Sequence, residues 1–395
     1  MTYLDWASTS PPDPAILSEA ALFASRLYAN PSSRHQAGAE ARAALERERA
    51  RLLTAIGAST GRLVLTGGGT EADSIPILAV LRQALGARRD GSVKRLHIVT
   101  SEIEHAAVYE QVLVLKSMGM GLSLVRPRPD GCLDPASIAA AVERDTALVA
   151  VMAVNNETGA IQDIAGIAAA IAEAAGVLGR APPRLHVDAV QALGKVAFDP
   201  GSGAGSAAYS AHKIRGMRGV GALWLRQGPA PEPLCVGGGQ EGGLRPGTES
   251  LQGVRAFAAA AEAARAGFDG RVSRARRLES RLLDGLAAIQ GALPLPLGRR
   301  AGDGRYSPFL LSAAFPGLSG EVLARSLSDR GVAVSTGSAC SSNAKRSGRR
   351  VLRAMGLDED LSLSAIRVSW GDLTEESDID AFLEAASAAY FELKT

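Results

Sequence analysis

Arg62-Leu-Val-Leu-Thr-Gly-Gly-Gly-Thr-Glu-Ala-Asp73 passes from a short apolar stretch through three glycines into a polar helix start. Its first five residues have the texture of a buried strand, and residues 70–85 carry helical spacing, so the glycines occupy a strand-to-helix turn. The same unit recurs on both sides. Residues 96–100, 122–126, 147–154 and 184–188 read as strands, while 36–56, 106–118, 135–142 and 164–178 read as helices. Such alternation predicts an α/β fold with a mostly parallel sheet covered by helices. Residues 203–210 lead into Ala211-His-Lys213, and 219–225 read as an antiparallel hairpin arm.

The texture changes after the Gly/Pro-rich residues 228–247. A long Ala/Arg/Glu-rich helical region covers 254–289, with Gly267 and Gly270 as the expected break. An α+β pattern follows: a strand at 308–315, a helix at 320–330, a strand at 332–335, a polar loop, a strand at 366–369 and a final helix at 376–391. The pattern contains no internal repeat. One large α/β unit followed by one smaller α+β unit is expected.

The chain has 395 residues, which at roughly 150 residues per domain predicts two or three compact units. Apolar residues make up 46% and charged residues 21%, which excludes a disordered chain and a disulfide-stapled miniprotein. With 43 Lys+Arg against 41 Asp+Glu, the formal charge of +2 gives no reason to expect a polyanion as main partner. Three cysteines, Cys132, Cys235 and Cys340, fit a reducing compartment and leave at least one free thiol. Residues 1–10 lack a basic start followed by an apolar run, and no apolar run approaches the ~20 residues of a membrane span. A soluble cytoplasmic protein is expected.

Three sets of residues could carry chemistry. Backbone N–H groups at Gly67 to Thr70 either cup a phosphate at a helix N-terminus or form a plain tight turn capped by Thr70. Asp188 ends an apolar strand and so faces the carboxyl edge of the sheet, where ligands of open α/β sheets bind; its plainer reading is a helix cap. Lys213, one of only six lysines, lies in a turn of small residues bounded by glycines, where desolvation would make its amine nucleophilic. Asp and Lys on successive strand ends are what pyridoxal phosphate requires, the lysine as Schiff-base partner and the carboxylate beside the pyridine nitrogen. Cys340, in Ser335-Thr-Gly-Ser-Ala-Cys-Ser-Ser-Asn343, sits in a segment too polar for a core strand, so an exposed, reactive thiol is expected. The five histidines lack metal-ligand spacing, and no zinc site is expected.

At this point a resemblance covers nearly the whole chain. Tyr3-Leu-Asp5, Asn30-Pro-Ser-Ser33, Thr66 to Asp73, Glu104-His105, Val154-Asn-Asn-Glu-Thr-Gly159, His186-Val-Asp-Ala-Val-Gln191, Ser210-Ala-His-Lys213, Gly237-Gly-Gly-Gln-Glu241, Arg245-Pro-Gly-Thr248, Ser338-Ala-Cys340 and Ile366-Arg367 occur in order. This series resembles cysteine desulfurases of the nitrogen-fixation and iron–sulfur-assembly type, within the class V aminotransferases. The resemblance implies a fold type I homodimer with a mostly parallel, seven-stranded-type sheet. It implies a large cofactor domain over 14–253, and a small domain from 1–13 and 254–395 carrying the Cys340 loop. It also implies pyridoxal 5'-phosphate and conversion of L-cysteine to L-alanine, with sulfur left on Cys340 as a persulfide for a sulfur-acceptor protein, scaffold or carrier.

By the same resemblance Lys213 is the Schiff-base lysine and the base for the Cα proton, Asp188 the pyridine-nitrogen partner and His105 the ring stacked on the cofactor. Gln191 and Asn156 resemble groups that bond the phenolic oxygen. Gly69, Thr70, Ser210 and His212 resemble the phosphate cup, with Thr248 supplied by the second subunit. Arg367, with Asn156 near it, resembles the clamp on the substrate carboxylate, a bidentate role suited to guanidinium. Ser74, Gly69 and residues 214–218 depart slightly from the family pattern. The largest departure is Lys345-Arg-Ser-Gly-Arg-Arg350, where a Leu-x-Pro-Ser stretch is usual. That run leaves three readings: an acidic docking partner, RNA in tRNA thiolation, or a solvated charged helix start. Selenocysteine lyase, aminotransferase and a non-catalytic scaffold paralogue are the alternative functions.

Overall fold

The structure, a computed structural model, describes residues 1–86, 95–337 and 349–394. The chain opens with β1 (Thr2–Tyr3), α1 (Pro14–Arg26), α2 (Gln36–Ala55), β2 (Arg62–Thr66) and α3 (Gly69–Gly86). It continues through β3 (His97–Ser101), α4 (Ala106–Ser117), β4 (Gly121–Val125), α5 (Pro135–Ala140), β5 (Thr146–Met152), α6 (Ile164–Val177), β6 (Arg184–Asp188), β7 (Ser206–Ser210) and β8 (Gly221–Leu225). Strands β2 to β8 form one sheet of seven in the order β2-β8-β7-β6-β5-β3-β4. Neighbours from β7 to β4 pair in parallel, and β8 runs antiparallel to both β2 and β7. The expected α/β fold with a mostly parallel sheet is therefore present.

The sequence explains this arrangement locally. Strand β5, Thr-Ala-Leu-Val-Ala-Val-Met152, is buried along almost its whole length, as a central parallel strand covered on both faces must be. In α6 the Asp163 carboxylate accepts the Gly166 N–H, and Ile164, Ile167, Ile171 and Ala175 fall on one buried stripe at helical spacing.

The second half contains α7 (Leu251–Ala266), α8 (Phe268–Ala288), β9 (Leu293–Leu295), β10 (Leu310–Ala314), α9 (Gly320–Asp329), β11 (Val332–Ala333), α10 (Arg350–Ala354), α11 (Glu359–Leu363), β12 (Ala365–Ser369) and α12 (Glu376–Lys394). A three-stranded antiparallel sheet runs β12-β10-β9, and β1 pairs in parallel with β11, Thr2 opposite Val332. Leu4 accordingly lies in a second apolar core with Leu278, Leu282, Phe309, Phe315, Trp370, Phe382 and Tyr390. Among the described residues no helix is long and apolar enough to cross a membrane.

Some expectations shift. The helical region breaks at Gly267 alone, and Gly270 lies inside the first turn of α8. The strand expected over 332–335 shortens to β11, after which Ser335 makes an isolated bridge to Arg367. Helix α1 was not anticipated, although its start carries a clear signal: Pro14 occupies the first turn and the Asp13 carboxylate accepts the Ala15 N–H at 3.0 Å.

One buried ion pair ties α8 to the loop after β5. Arg299 and Glu279 meet at 2.6 Å with both side chains at most 1% exposed, and Arg299 also donates to the carbonyls of Thr158 and Ser307. Replacing Glu279 with Ala leaves an uncompensated buried guanidinium, so stability should fall by about 3–5 kcal/mol. Urea denaturation reads this directly; a loss near zero would show that water reaches Arg299 in the folded state.

Candidate active site

The carboxyl ends of β5, β6 and β7 and the start of α3 surround a cavity of about 300 Å³. This is large enough for a small cofactor and substrate. Gly69, Thr70, His105, Asn156, Asp188, Gln191, Ser210, His212, Lys213 and Arg367 all line it. Thr248, singled out in the sequence, is not part of this wall. It is exposed in the segment before α7, and Cys340 lies outside the described residues.

Lys213 ends the 3-10 turn Ala211–Lys213 that follows β7. Its Nζ donates to the carbonyls of Ala7 and Ser8, both at 2.7 Å. Asp188 closes β6, and one of its carboxylate oxygens accepts the Val190 N–H at 3.0 Å. Burial pushes the Asp188 carboxyl above the usual carboxylate range, against the opposing pull of His105, that N–H and Lys213. His105 caps α4, its Nδ1 accepting the Ala107 N–H at 3.1 Å, so the ring is fixed against the cavity. Burial, with Lys213, Arg350 and Arg367, lowers its pKa, while Asp188 raises it.

Arg367 stands on β12 and reaches the loop after β5 and the segment after β1. Its Nη1 donates to the Asn156 carbonyl at 2.8 Å, and its Nη2 donates to Asp5 at 2.8 Å and Ser8 Oγ at 2.7 Å. The Nε is buried without a partner. At the other end of the cavity His212 meets Thr9 Oγ1 at 3.1 Å, and burial with the nearby cations Lys213, Lys195 and Arg218 takes its pKa down to about 4.

The basic run is not uniformly solvated. Arg349 is 4% exposed, adopts a left-handed backbone (φ 78°) and donates to the Thr336 carbonyl. Arg350 stacks 3.7 Å over the Tyr109 ring and donates to the carbonyls of Glu102 and Glu104. The solvated reading fails for these two residues because backbone acceptors and an aromatic face replace their water.

A class-V aminotransferase family model matches residues 2–382. The chain belongs to that family. It is 38% identical over 382 residues to a protein named cysteine desulfurase IscS from Anaeromyxobacter dehalogenans, spanning 96% of this chain and 89% of the relative. It is 33% identical over 393 residues to a NifS/IcsS protein homolog of Lactobacillus delbrueckii subsp. bulgaricus, spanning 99% and 97%. Among solved structures, a NifS-like protein superposes with a TM-score of 0.84 at 31% identity, covering 98% of both chains. DndA from Streptomyces lividans does so with a TM-score of 0.71 at 33% identity, covering 94% and 99%. The family is dependent on pyridoxal 5'-phosphate.

The residues present fit that cofactor. Ser210 Oγ is buried without a partner beside Gly69, where a Cβ would come within 2.7 Å of Val190 and 3.6 Å of Ser210. An orphaned hydroxyl, a glycine cradle and the free N–H groups opening α3 suit a phosphate group. Asp188 lies in the same wall, two residues before Val190. A cationic ring nitrogen would offset the burial of its carboxylate.

Sequence reasoning gave no role to the other carboxyls of this wall. Asp73, Glu104 and Glu157 all line the cavity, and burial is the main cause that raises each pKa. Asp73 meets His186 at 3.0 Å, and His186, pushed down to about 3 by burial, also meets Ser206 at 3.0 Å. Glu104 is pushed up to about 8, and its Oε2 has no partner.

Glu104 yields a pH prediction. Its folded pKa of about 8 lies above the unfolded value of 4.5, so its favourable contribution is complete below about pH 4.5 and is lost as pH rises through 8. Glu104→Gln imitates the protonated acid. Between pH 5 and 7.5 the cofactor-free variant should lack a decline of about 1.4 kcal/mol per pH unit that the parent shows. Urea midpoints across that range measure it, and parallel curves for the two proteins would refute the buried acid.

Proposed function

We infer that the protein is a cysteine desulfurase that converts L-cysteine to L-alanine and passes the sulfur to Cys340 as a persulfide. The observation that carries this reading is the convergence of Lys213, Asp188 and Arg367 on one cavity, in a chain whose full-length relatives are named for this activity. When bound, pyridoxal 5'-phosphate supplies an electron sink that acidifies the substrate Cα.

The chain's own residues do the rest. The phosphate end is held by Gly69, Thr70, Ser210 and His212, with Thr248 contributed by the second subunit of a homodimer. His105 and Val190 would hold the ring, Gln191 and Asn156 would hydrogen-bond its oxygen, and Asp188 would keep a proton on its nitrogen. Arg367 takes the substrate carboxylate. Its guanidinium is already oriented by Asp5, Ser8 and the Asn156 carbonyl, so little side-chain entropy is lost on binding. With the cofactor bound, Lys213 would accept the Cα proton at its Nζ and return a proton to the product. Ala7 and Ser8 carbonyls hold the amine until then.

The sulfur step balances without an added oxidant. The Cys340 thiolate attacks the substrate sulfur, an S–S bond forms as the C–S bond breaks, and the released electron pair ends as the new C–H bond of alanine. A sulfur-acceptor protein, scaffold or carrier, then removes the terminal sulfur for iron–sulfur cluster assembly, with tRNA as a further possible end point. The chemistry needs reduced thiols, which supports a cytoplasmic site of action. The large unit over 14–253 carries the cofactor, and 1–13 with 254–395 forms the smaller unit.

Three variants test the reading. With L-cysteine, Lys213→Ala should form no alanine and lose the visible absorbance of lysine-bound cofactor. Cys340→Ala should keep that absorbance but form no protein persulfide; unchanged alanine production would remove Cys340 from the reaction. Arg367→Lys keeps the charge but not the fork, so KM for cysteine should rise about tenfold or more, with kcat changing less. A parallel assay with L-selenocysteine separates the two amino acids, and alanine from neither would reject the proposed function.

A further inference from the structure

Behind the cavity wall lies a second buried lysine that the mechanism above does not use. Lys195 is 6% exposed, and no carboxylate stands within ion-pairing distance of it among the described residues. The charged groups acting on it are Lys213, Arg271 and Arg367, all cationic, and Asp372, which is itself bound by Arg271 at 2.7 Å. Burial and these cations push the Lys195 pKa well below its ordinary value, and an amine buried in such surroundings is costly unless it does something specific. Its Nζ, a donor in either protonation state, donates to Gln191 Oε1 at 2.6 Å. On the far side, Gln191 Nε2 donates to the Ala7 carbonyl at 2.9 Å, the same oxygen that accepts from Lys213.

These two contacts settle which end of the amide points where. The Ala7 carbonyl can only accept, so it demands the NH2 end, and Lys195 supplies the donor that the oxygen end needs. Of the two N–H bonds on Nε2, one goes to Ala7, and Gln191 lines the cavity, so the other remains for a ligand oxygen there. The geometry points to Lys195 as a positioning residue that fixes the Gln191 amide so that it presents an N–H, not a carbonyl, to the cofactor's phenolic oxygen. This rests on the proposed placement of Gln191 beside that oxygen. Without Lys195 the buried Oε1 would be left unpaired, and the amide's orientation would rest on the Ala7 carbonyl alone.

A donor on the phenolic oxygen stabilises its anion and weakens its hold on the proton of the Lys213–cofactor imine, lowering the imine pKa. Lys195→Met removes the donor and keeps an unbranched buried chain. In the holoenzyme without substrate, a pH titration of the visible band should show the imine pKa raised by about one pH unit. Gln191→Ala should raise it similarly, and the double variant should go no further than Gln191→Ala alone. Should Lys195→Met not yield soluble protein, Lys195→Leu, which likewise removes the donor, serves the same comparison.

The outcomes separate cleanly. An equal Lys195→Met shift with and without Gln191 would mean that Lys195 acts through its charge alone, and overturns the positioning role. A shift in Gln191→Ala but none in Lys195→Met overturns it too. No shift in Gln191→Ala would instead remove Gln191 from the phenolic oxygen, which refutes the underlying placement.

Discussion

The Lys213 ammonium on the carbonyls of Ala7 and Ser8 is the contact around which the rest of the site is arranged. Three neighbouring residues of an N-terminal segment meet both halves of the molecule there. Ala7 also takes the Gln191 amide on its carbonyl and donates its N–H to Ser369 Oγ, while Asp5 and Ser8 hold Arg367. The lysine and the arginine proposed to bind opposite ends of the substrate are thus referenced to one short piece of chain. Strand β1, paired with β11, and Leu4, buried in the second core, keep that piece in place.

This constraint also explains the unusual density of buried charge. Lys213 and Arg367 share one small cavity with Asp73, Glu104, Glu157 and Asp188, and Lys195 lies behind its wall. Burial drives the carboxyls up and the histidines down, so each group is pushed towards its neutral form when the cavity holds only protein. A cationic ring nitrogen would reverse that push at Asp188.

Much of this was legible in the residues before any coordinates. The strand-turn-helix at 62–73 and its repeats led to a mostly parallel sheet, because a covered parallel strand needs an unbroken apolar run and its crossover needs a helix. Lys213 and Asp188 stood out because few lysines exist and strand ends face the ligand edge. Arg367, marked through the family pattern, lies in that same cavity, although its partner Asp5 is 362 residues away.

By itself the sequence determined the sheet, the local turns and the residue types with chemistry to offer, since these depend on spacing within a few residues. Only the tertiary structure decided what each side chain bonds to. That Ala7 would serve both Gln191 and Lys213, that Lys195 would be sealed behind the wall, and that Arg349 and Arg350 would turn inward are contacts between distant segments. No local pattern encodes them, because burial and the loss of water, which fix those partners, arise only once the two halves close around the cavity.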